Sequence, residues 1–129
     1  MCMTQSTVVC GKFDQSEKTL DGSHRAFVNF ESLETLWFNT GTLCNKECAN
    51  CYIKSSPKND SLVYLGQEDV NGYLRELRCY GHNTKEIGFT GGEPFMNPEM
   101  IPMSHRCLEE GYQVLILTNA MRPMMRPKT

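Results

Sequence analysis

LETLWFNTGTLCNKECANC, residues Leu33 to Cys51, runs an apolar segment straight into three cysteines. Leu33 to Asn39 combines leucine, threonine and aromatic residues and reads as a buried strand, which Thr40-Gly41-Thr42 ends. Cys44, Cys48 and Cys51 follow at once, with three residues between the first pair and two between the second. On a loop, this spacing lets three thiolates converge on one inorganic centre, because the intervening turns are too short to leave it. Three thiolates can hold three irons of a four-iron, four-sulfur cluster, leaving the fourth iron open to a molecule that must be acted upon. Zinc is the rival, although a structural zinc site normally closes with a fourth Cys or His. Three unrelated core thiols are the plain alternative.

Beyond Cys51, Lys54 to Asp60 is a loop by composition. Val70, Tyr73, Leu74 and Leu77 recur at helical spacing, so Gln67 to about Cys79 is predicted helical, with Gly81 placed to stop it. Glu86 to Thr90 is a second short strand ending on Gly91-Gly92-Glu93-Pro94. Asn97-Pro98-Glu99 carries a capping side chain, a preset φ and an acid, which together read as a helix start. Met100, Ile101, Ser104, Cys107 and Leu108 form its expected inward stripe, and Gly111 closes it. Tyr112 to Leu117 is a third strand, nearly all apolar as a strand covered on both faces should be, and it ends on Thr118-Asn119-Ala120. Upstream, Asp21-Gly22 signals a turn, and the weakly alternating Arg25 to Phe30 suggests a short strand.

Alternating strands and helices predict an α/β fold with a parallel sheet and right-handed crossovers. The cysteine loop, GGEP and Thr118-Asn119 then lie at one sheet edge, where such folds build ligand sites. The 129 residues, 40% hydrophobic and 22% charged, suit one domain with a modest core. A formal net charge of -2 gives no electrostatic reason to expect nucleic acid. No apolar run reaches membrane-spanning length, and MCMTQSTVVCGK lacks the core of a signal peptide. Three of the seven cysteines crowd into eight residues, unlike a disulfide scaffold, so a reducing, cytoplasmic setting is expected.

CNKECANC after the first strand, GGEP after the second and TNA after the third resemble the radical SAM (S-adenosylmethionine) enzymes, over roughly residues 33 to 120. The resemblance implies the first half of a partial (β/α)6, TIM-like barrel in residues 33–129, with residues 1–32 as an N-terminal extension. It implies a [4Fe-4S] cluster on Cys44, Cys48 and Cys51 and S-adenosylmethionine at the open iron. That chemistry generates a 5′-deoxyadenosyl radical for hydrogen abstraction from a substrate, with a one-electron reductant such as flavodoxin or ferredoxin as partner. Gly91 and Gly92 would let the backbone approach the ligand, Glu93 would accept from the methionine ammonium, and Pro94 would stiffen the loop. Thr118 and Asn119 match a position that contacts the ribose or carboxylate of the cofactor.

The sequence departs from the family pattern twice. The residue before the third cysteine is usually aromatic and here is Asn50, so its backbone is expected at the adenine edge with Tyr52 supplying the ring. The last three strands of the barrel are absent from a chain that stops at Thr129, so an N-terminal fragment or a truncated reading frame is expected. Two other readings stay open. One is a zinc-binding structural or interaction module using Cys79 or His82 as fourth ligand; the other is a cluster-binding remnant without activity. His24, His82 and His105 read as surface histidines, and Cys2 and Cys10 as incidental thiols. Cys79 and Cys107 read as thiols on or near inward helix stripes, Met100 and Met103 as core filler, and Lys54, Lys58 and Lys85 as solvated.

Overall fold

A computed structural model describes residues 15–121 of the chain, which divide between Glu31 and Ser32 into two units. The first holds the expected Asp21-Gly22 turn, closed by Thr19 and Ser23 and by an isolated antiparallel bridge between Lys18 and His24. Arg25 to Phe30 is not a strand. Beyond the Arg25 amide, which donates to the Glu17 carbonyl beside the Lys18–His24 bridge, the segment forms no strand, and Phe27, Val28 and Phe30 are exposed. Cys2 and Cys10 fall outside the described residues.

In the second unit, β1 (Thr35–Asn39), α1 (Gln67–Cys79), β2 (Glu86–Thr90), a 3-10 turn (Pro94–Met96), α2 (Met100–Glu109) and β3 (Gln113–Ile116) follow in order. The sheet is parallel with strand order β1-β2-β3. Thr35 stands opposite Glu86 and Asn39 opposite Thr90, while Glu86 pairs with Gln113 and Phe89 with Ile116. All three strands therefore end at one edge, carrying the cysteine loop, GGEP and Thr118-Asn119.

Both helices pack on one sheet face. Val70, Leu74 and Leu77 of α1 meet Phe38, Ile87 and Phe89 of the sheet and Met100, Met103 and Cys107 of α2 in one buried cluster. Phe38 stacks on Phe89 with ring centroids 5.7 Å apart, and the half-exposed Tyr73 tilts against Phe38 at 5.6 Å. Each helix ends in the same way. Gly81 and Gly111 adopt positive φ, and the next amide, of His82 or Tyr112, donates back to Leu77 or Cys107. At the other end of α1, the Gly66 amide donates to Asp69, and the Gln67 amide donates to the Glu99 carboxylate brought over from the start of α2.

Three expectations change in the structure. Helix α2 begins three residues after Asn97, because Pro94–Met96 first makes a separate turn. Asn97 does accept from the Glu99 amide, but it is buried, and its Nδ2 donates to the carbonyls of Thr40 and Leu65. The inward stripe of α2 is Met100, Met103 and Cys107, while Ile101 and Leu108 are exposed. The helix is rotated by about one residue, since α1 and the sheet approach it from a single side. β3 is likewise covered on one face: Val114 and Ile116 pack on the core, and Leu115 and Leu117 are exposed. An edge strand beside helices that all lie on one face has only that face to bury.

Cys79 is exposed at the end of α1 rather than inward-facing. Cys107 is fully buried, and burial pushes its thiol up to about 11 against the opposing pull of Arg106, so it acts as a small hydrophobe. His105 is exposed beside Glu109, and Lys54, Lys58 and Lys85 are exposed. No helix among the described residues is long and apolar enough to cross a membrane.

Trp37, the one tryptophan of the chain, stands on the sheet face away from the helices and lies directly over Gly88. A Cβ added at Gly88 would come 2.4 Å from the Trp37 ring. Gly88→Ala is therefore expected to cost about 1–3 kcal/mol as the ring is pushed aside. Tryptophan emission and urea denaturation would report the displacement and its cost together. An unchanged emission spectrum and midpoint would contradict this packing.

Candidate functional site

The loop after β1 leaves the sheet at Thr40 and is stitched back to it. The Thr40 amide and hydroxyl both donate to the Thr90 carbonyl at the end of β2. The Cys44 amide then donates to the Ser56 carbonyl, and Leu43 bridges to Ser56, which closes the cysteine loop at its base. Within the loop the Cys51 amide donates to the Cys48 carbonyl.

The GGEP segment lies directly on that base. The Gly92 amide donates to the Gly41 carbonyl at 2.8 Å, and the Glu93 amide to the Leu43 carbonyl at 3.0 Å. A Cβ on Gly91 would come 2.7 Å from the Gly41 carbonyl oxygen, and one on Gly92 only 2.2 Å from that of Leu43. The two glycines are thus required first by the chain itself, so that one loop can rest on the other.

Glu93 is 2% exposed and fastens the third strand end to the second. Its Oε1 accepts from the Phe95 amide at 3.1 Å and the Thr118 hydroxyl at 2.7 Å, and its Oε2 accepts from the Asn119 amide at 2.8 Å. Asn119 in turn reaches the cysteine loop. Its Nδ2 donates to Asn45 Oδ1 at 2.8 Å and approaches Cys44 Sγ at 3.8 Å. The three strand ends are therefore one connected network, Glu93 to Thr118-Asn119 to Asn45 and Cys44.

The thiols differ in setting. Cys44 is buried and Cys51 half-buried, while Cys48 is exposed. Backbone amides point at two of the sulfurs, Lys46 N–H to Cys44 Sγ at 3.4 Å and Ser55 N–H to Cys51 Sγ at 3.3 Å. The Ser55 amide, followed by that of Ile53, pulls the Cys51 thiol below its ordinary value, with a smaller pull from the Ser55 hydroxyl. A pocket of about 380 Å³ opens beside them, lined by Glu47, Cys48, Ala49, Cys51, Lys54 and Ser55. Asn50 and Tyr52 are exposed, and no hydrogen bond ties either side chain to Glu93, Thr118 or Asn119 among the described residues.

The donor set suits an iron–sulfur cluster. Soft sulfur ligands, amides aimed at them and a pocket at their side are what such a cluster uses. Ser55 adds a further sign of fit: it is 3% exposed, and its Oγ makes no hydrogen bond of ordinary geometry among the described residues. A single zinc ion finds less support. Its ligand atoms would have to meet about 2.0–2.3 Å from one point, and no three His, Cys, Asp or Glu side chains do so among the described residues. Cys79 ends α1 and His82 follows it; the helix runs antiparallel to the strands and so delivers both to the opposite sheet edge.

Asn45, Asn97 and Ser55 were not singled out from the sequence as parts of this edge. Asn45 adjoins Cys44, which is a weak signal. Ser55 sits in a polar loop with no signal at all.

No solved structure matches the sequence significantly. A curated relative, 7-carboxy-7-deazaguanine synthase of Methanopyrus kandleri, is 28% identical over 130 aligned positions, covering 88% of this chain and 47% of the relative. The chain thus spans about half the length of the curated relative it matches. The Radical SAM superfamily matches residues 38–128, from β1 through all three strand-end motifs and well over half of the chain. On that match, and with those motifs joined at one sheet edge, the chain belongs to the Radical SAM superfamily.

Proposed function

We propose that this chain carries the cluster-binding and cofactor-binding half of a radical S-adenosylmethionine enzyme, with Cys44, Cys48 and Cys51 as ligands of a [4Fe-4S] cluster. The observation that carries the reading is the Glu93–Asn119–Asn45/Cys44 network, which joins the cysteine loop to the two other strand ends. When bound, the reduced cluster and S-adenosylmethionine supply a 5′-deoxyadenosyl radical that takes a hydrogen atom from the substrate.

The chain's own residues supply position and polarity. The Lys46 and Ser55 amides stabilise negative charge on the sulfurs they face. Gly91 and Gly92 let the segment after β2 rest against the base of the cysteine loop, and Pro94 opens the turn that follows. Glu93 orients Thr118 and Asn119, and its own carboxyl is already engaged by three donors. On this reading the backbone of the GGEP segment, more than the Glu93 carboxylate, is what faces the amino-acid part of the cofactor. Asn50 and Tyr52 are exposed and available to its adenine end.

Three parallel strands in the order β1-β2-β3, with helices on one face, fit the first half of a (β/α)6 barrel. A one-electron reductant of the flavodoxin or ferredoxin class and a cytoplasmic setting complete the proposal. The relative's name makes a carboxylated 7-deazaguanine the first product class to test in the whole protein.

The test is anaerobic reconstitution with iron and sulfide, followed by EPR of the reduced chain with and without S-adenosylmethionine. A [4Fe-4S] signal that changes when the cofactor is added is expected. A colourless chain holding zinc instead would overturn the assignment.

A further inference from the structure

Ser55 is a buried polar side chain that the network described above does not use. It lies four residues after Cys51 and lines the pocket that Cys48 and Cys51 share. The chain between the two residues is turned sharply. The Lys54 amide donates to the Cys51 carbonyl, and Lys54 itself is held at a φ of 51°, a left-handed conformation uncommon for a residue with a Cβ. The turn brings the Ser55 amide to Cys51 Sγ at 3.3 Å. It also leaves the Ser55 hydroxyl 3% exposed without a hydrogen bond of ordinary geometry among the described residues.

A buried hydroxyl without a well-formed hydrogen bond is unfavourable for folding alone, and the atom nearest to serving it is the Cys51 sulfur, which it already draws on weakly. Beside a cysteine pocket, the acceptor that a hydroxyl would meet is sulfur. We infer that Ser55 is a positioning residue whose hydroxyl donates a hydrogen bond to the Cys51 sulfur or an adjoining sulfide of the bound cluster, and so raises its reduction potential. The inference rests on the cluster reading proposed above. The physical basis is simple: one-electron reduction increases negative charge on the sulfurs, so a donor stabilises the reduced form more than the oxidised one. Ser55 thereby makes the cluster easier to reduce.

The test compares the wild-type chain with Ser55→Ala, which removes the donor, and Ser55→Thr, which keeps it. Each is reconstituted with iron and sulfide and titrated anaerobically against mediators of known potential, with EPR as the readout. Ser55→Ala is expected to load and to show a more negative midpoint. A tenfold shift in the reduced-to-oxidised ratio would correspond to about 59 mV for one electron. Ser55→Thr is expected to stay near wild type. Loss of loading in Ser55→Ala with loading retained in Ser55→Thr supports the same role. An unchanged midpoint in Ser55→Ala, or loss of loading in both variants, overturns the inference while leaving the cluster reading intact. A wild-type chain that takes up no iron overturns the cluster reading and the inference with it.

Thermal melts of the cluster-free chains supply a second measurement. A hydroxyl that acts only on the bound cluster can be removed without loss, so apo Ser55→Ala should melt at or above the wild-type temperature. A clear fall would show that the hydroxyl serves the fold, and would overturn the assigned role.

Discussion

Replacing Glu93 with alanine is expected to loosen the edge of the sheet on which the three motifs meet. The side chain is almost completely buried and has donors on both carboxyl oxygens: the Phe95 amide, the Thr118 hydroxyl and the Asn119 amide. Truncation would leave all three donors facing a void. The cost should be about 3 kcal/mol or more, because each unpaired donor in this buried setting carries its own desolvation penalty. That is a large share of the roughly 5–15 kcal/mol by which a domain is usually stable. Glu93→Gln should cost less. Its remaining carbonyl oxygen can still accept from Phe95 and Thr118, but its amide nitrogen would face the Asn119 N–H as donor against donor. Urea denaturation would rank wild type above Gln and Gln above Ala. Amide exchange at Asn119 should quicken in the same order. Equal midpoints for all three chains would show that Glu93 does not fasten the strand ends.

Cys48→Ala should abolish the cluster and leave the fold untouched. Cys48 is exposed, and its thiol makes no hydrogen bond among the described residues. Its replacement should therefore change the stability of the cluster-free chain by less than about 0.5 kcal/mol, as is usual for a surface site. Iron uptake, brown colour and the EPR signal of the reconstituted chain should all be lost. Cys44→Ala is a less informative experiment, because Cys44 is buried and its sulfur faces both Lys46 and Asn119. A loss of cluster there would mix a missing ligand with a disturbed strand edge. Retention of a normal cluster by Cys48→Ala would remove this residue from the ligand set.

The elements of the second unit were largely legible from periodicity. Helix α1 and strand β2 run over the residues the sequence indicated, β1 starts two residues later, and β3 is shorter by one residue at each end. Both helices stop at the glycines that looked able to stop them. Arg25 to Phe30 shows where periodicity misleads, since a few alternating residues become a strand only where a continuous ladder of backbone hydrogen bonds forms. The stripe of α2 shows another limit. Met100, Ile101, Met103, Cys107 and Leu108 are more apolar residues than one face can bury, so the sequence alone could not say which of them turn inward.

At the edge where the strands end, sequence by itself determined which three segments meet. A parallel sheet puts every strand end on one side, and the cysteine spacing, GGEP and Thr118-Asn119 each follow a strand. What each side chain does there was decided by tertiary structure. Glu93 looked like a ligand-facing acid and is buried under donors from β3's end, 25 residues away for Thr118. Asn97 looked like a helix cap and also holds the Thr40 carbonyl 57 residues back. Ser55 looked like loop and proves to be a buried hydroxyl beside Cys51. The difference is physical. Local apolar periodicity is set by backbone geometry within a few residues, so it can be read along the chain. Hydrogen-bond partners tens of residues apart, and the burial that makes them matter, exist only once the strands are side by side.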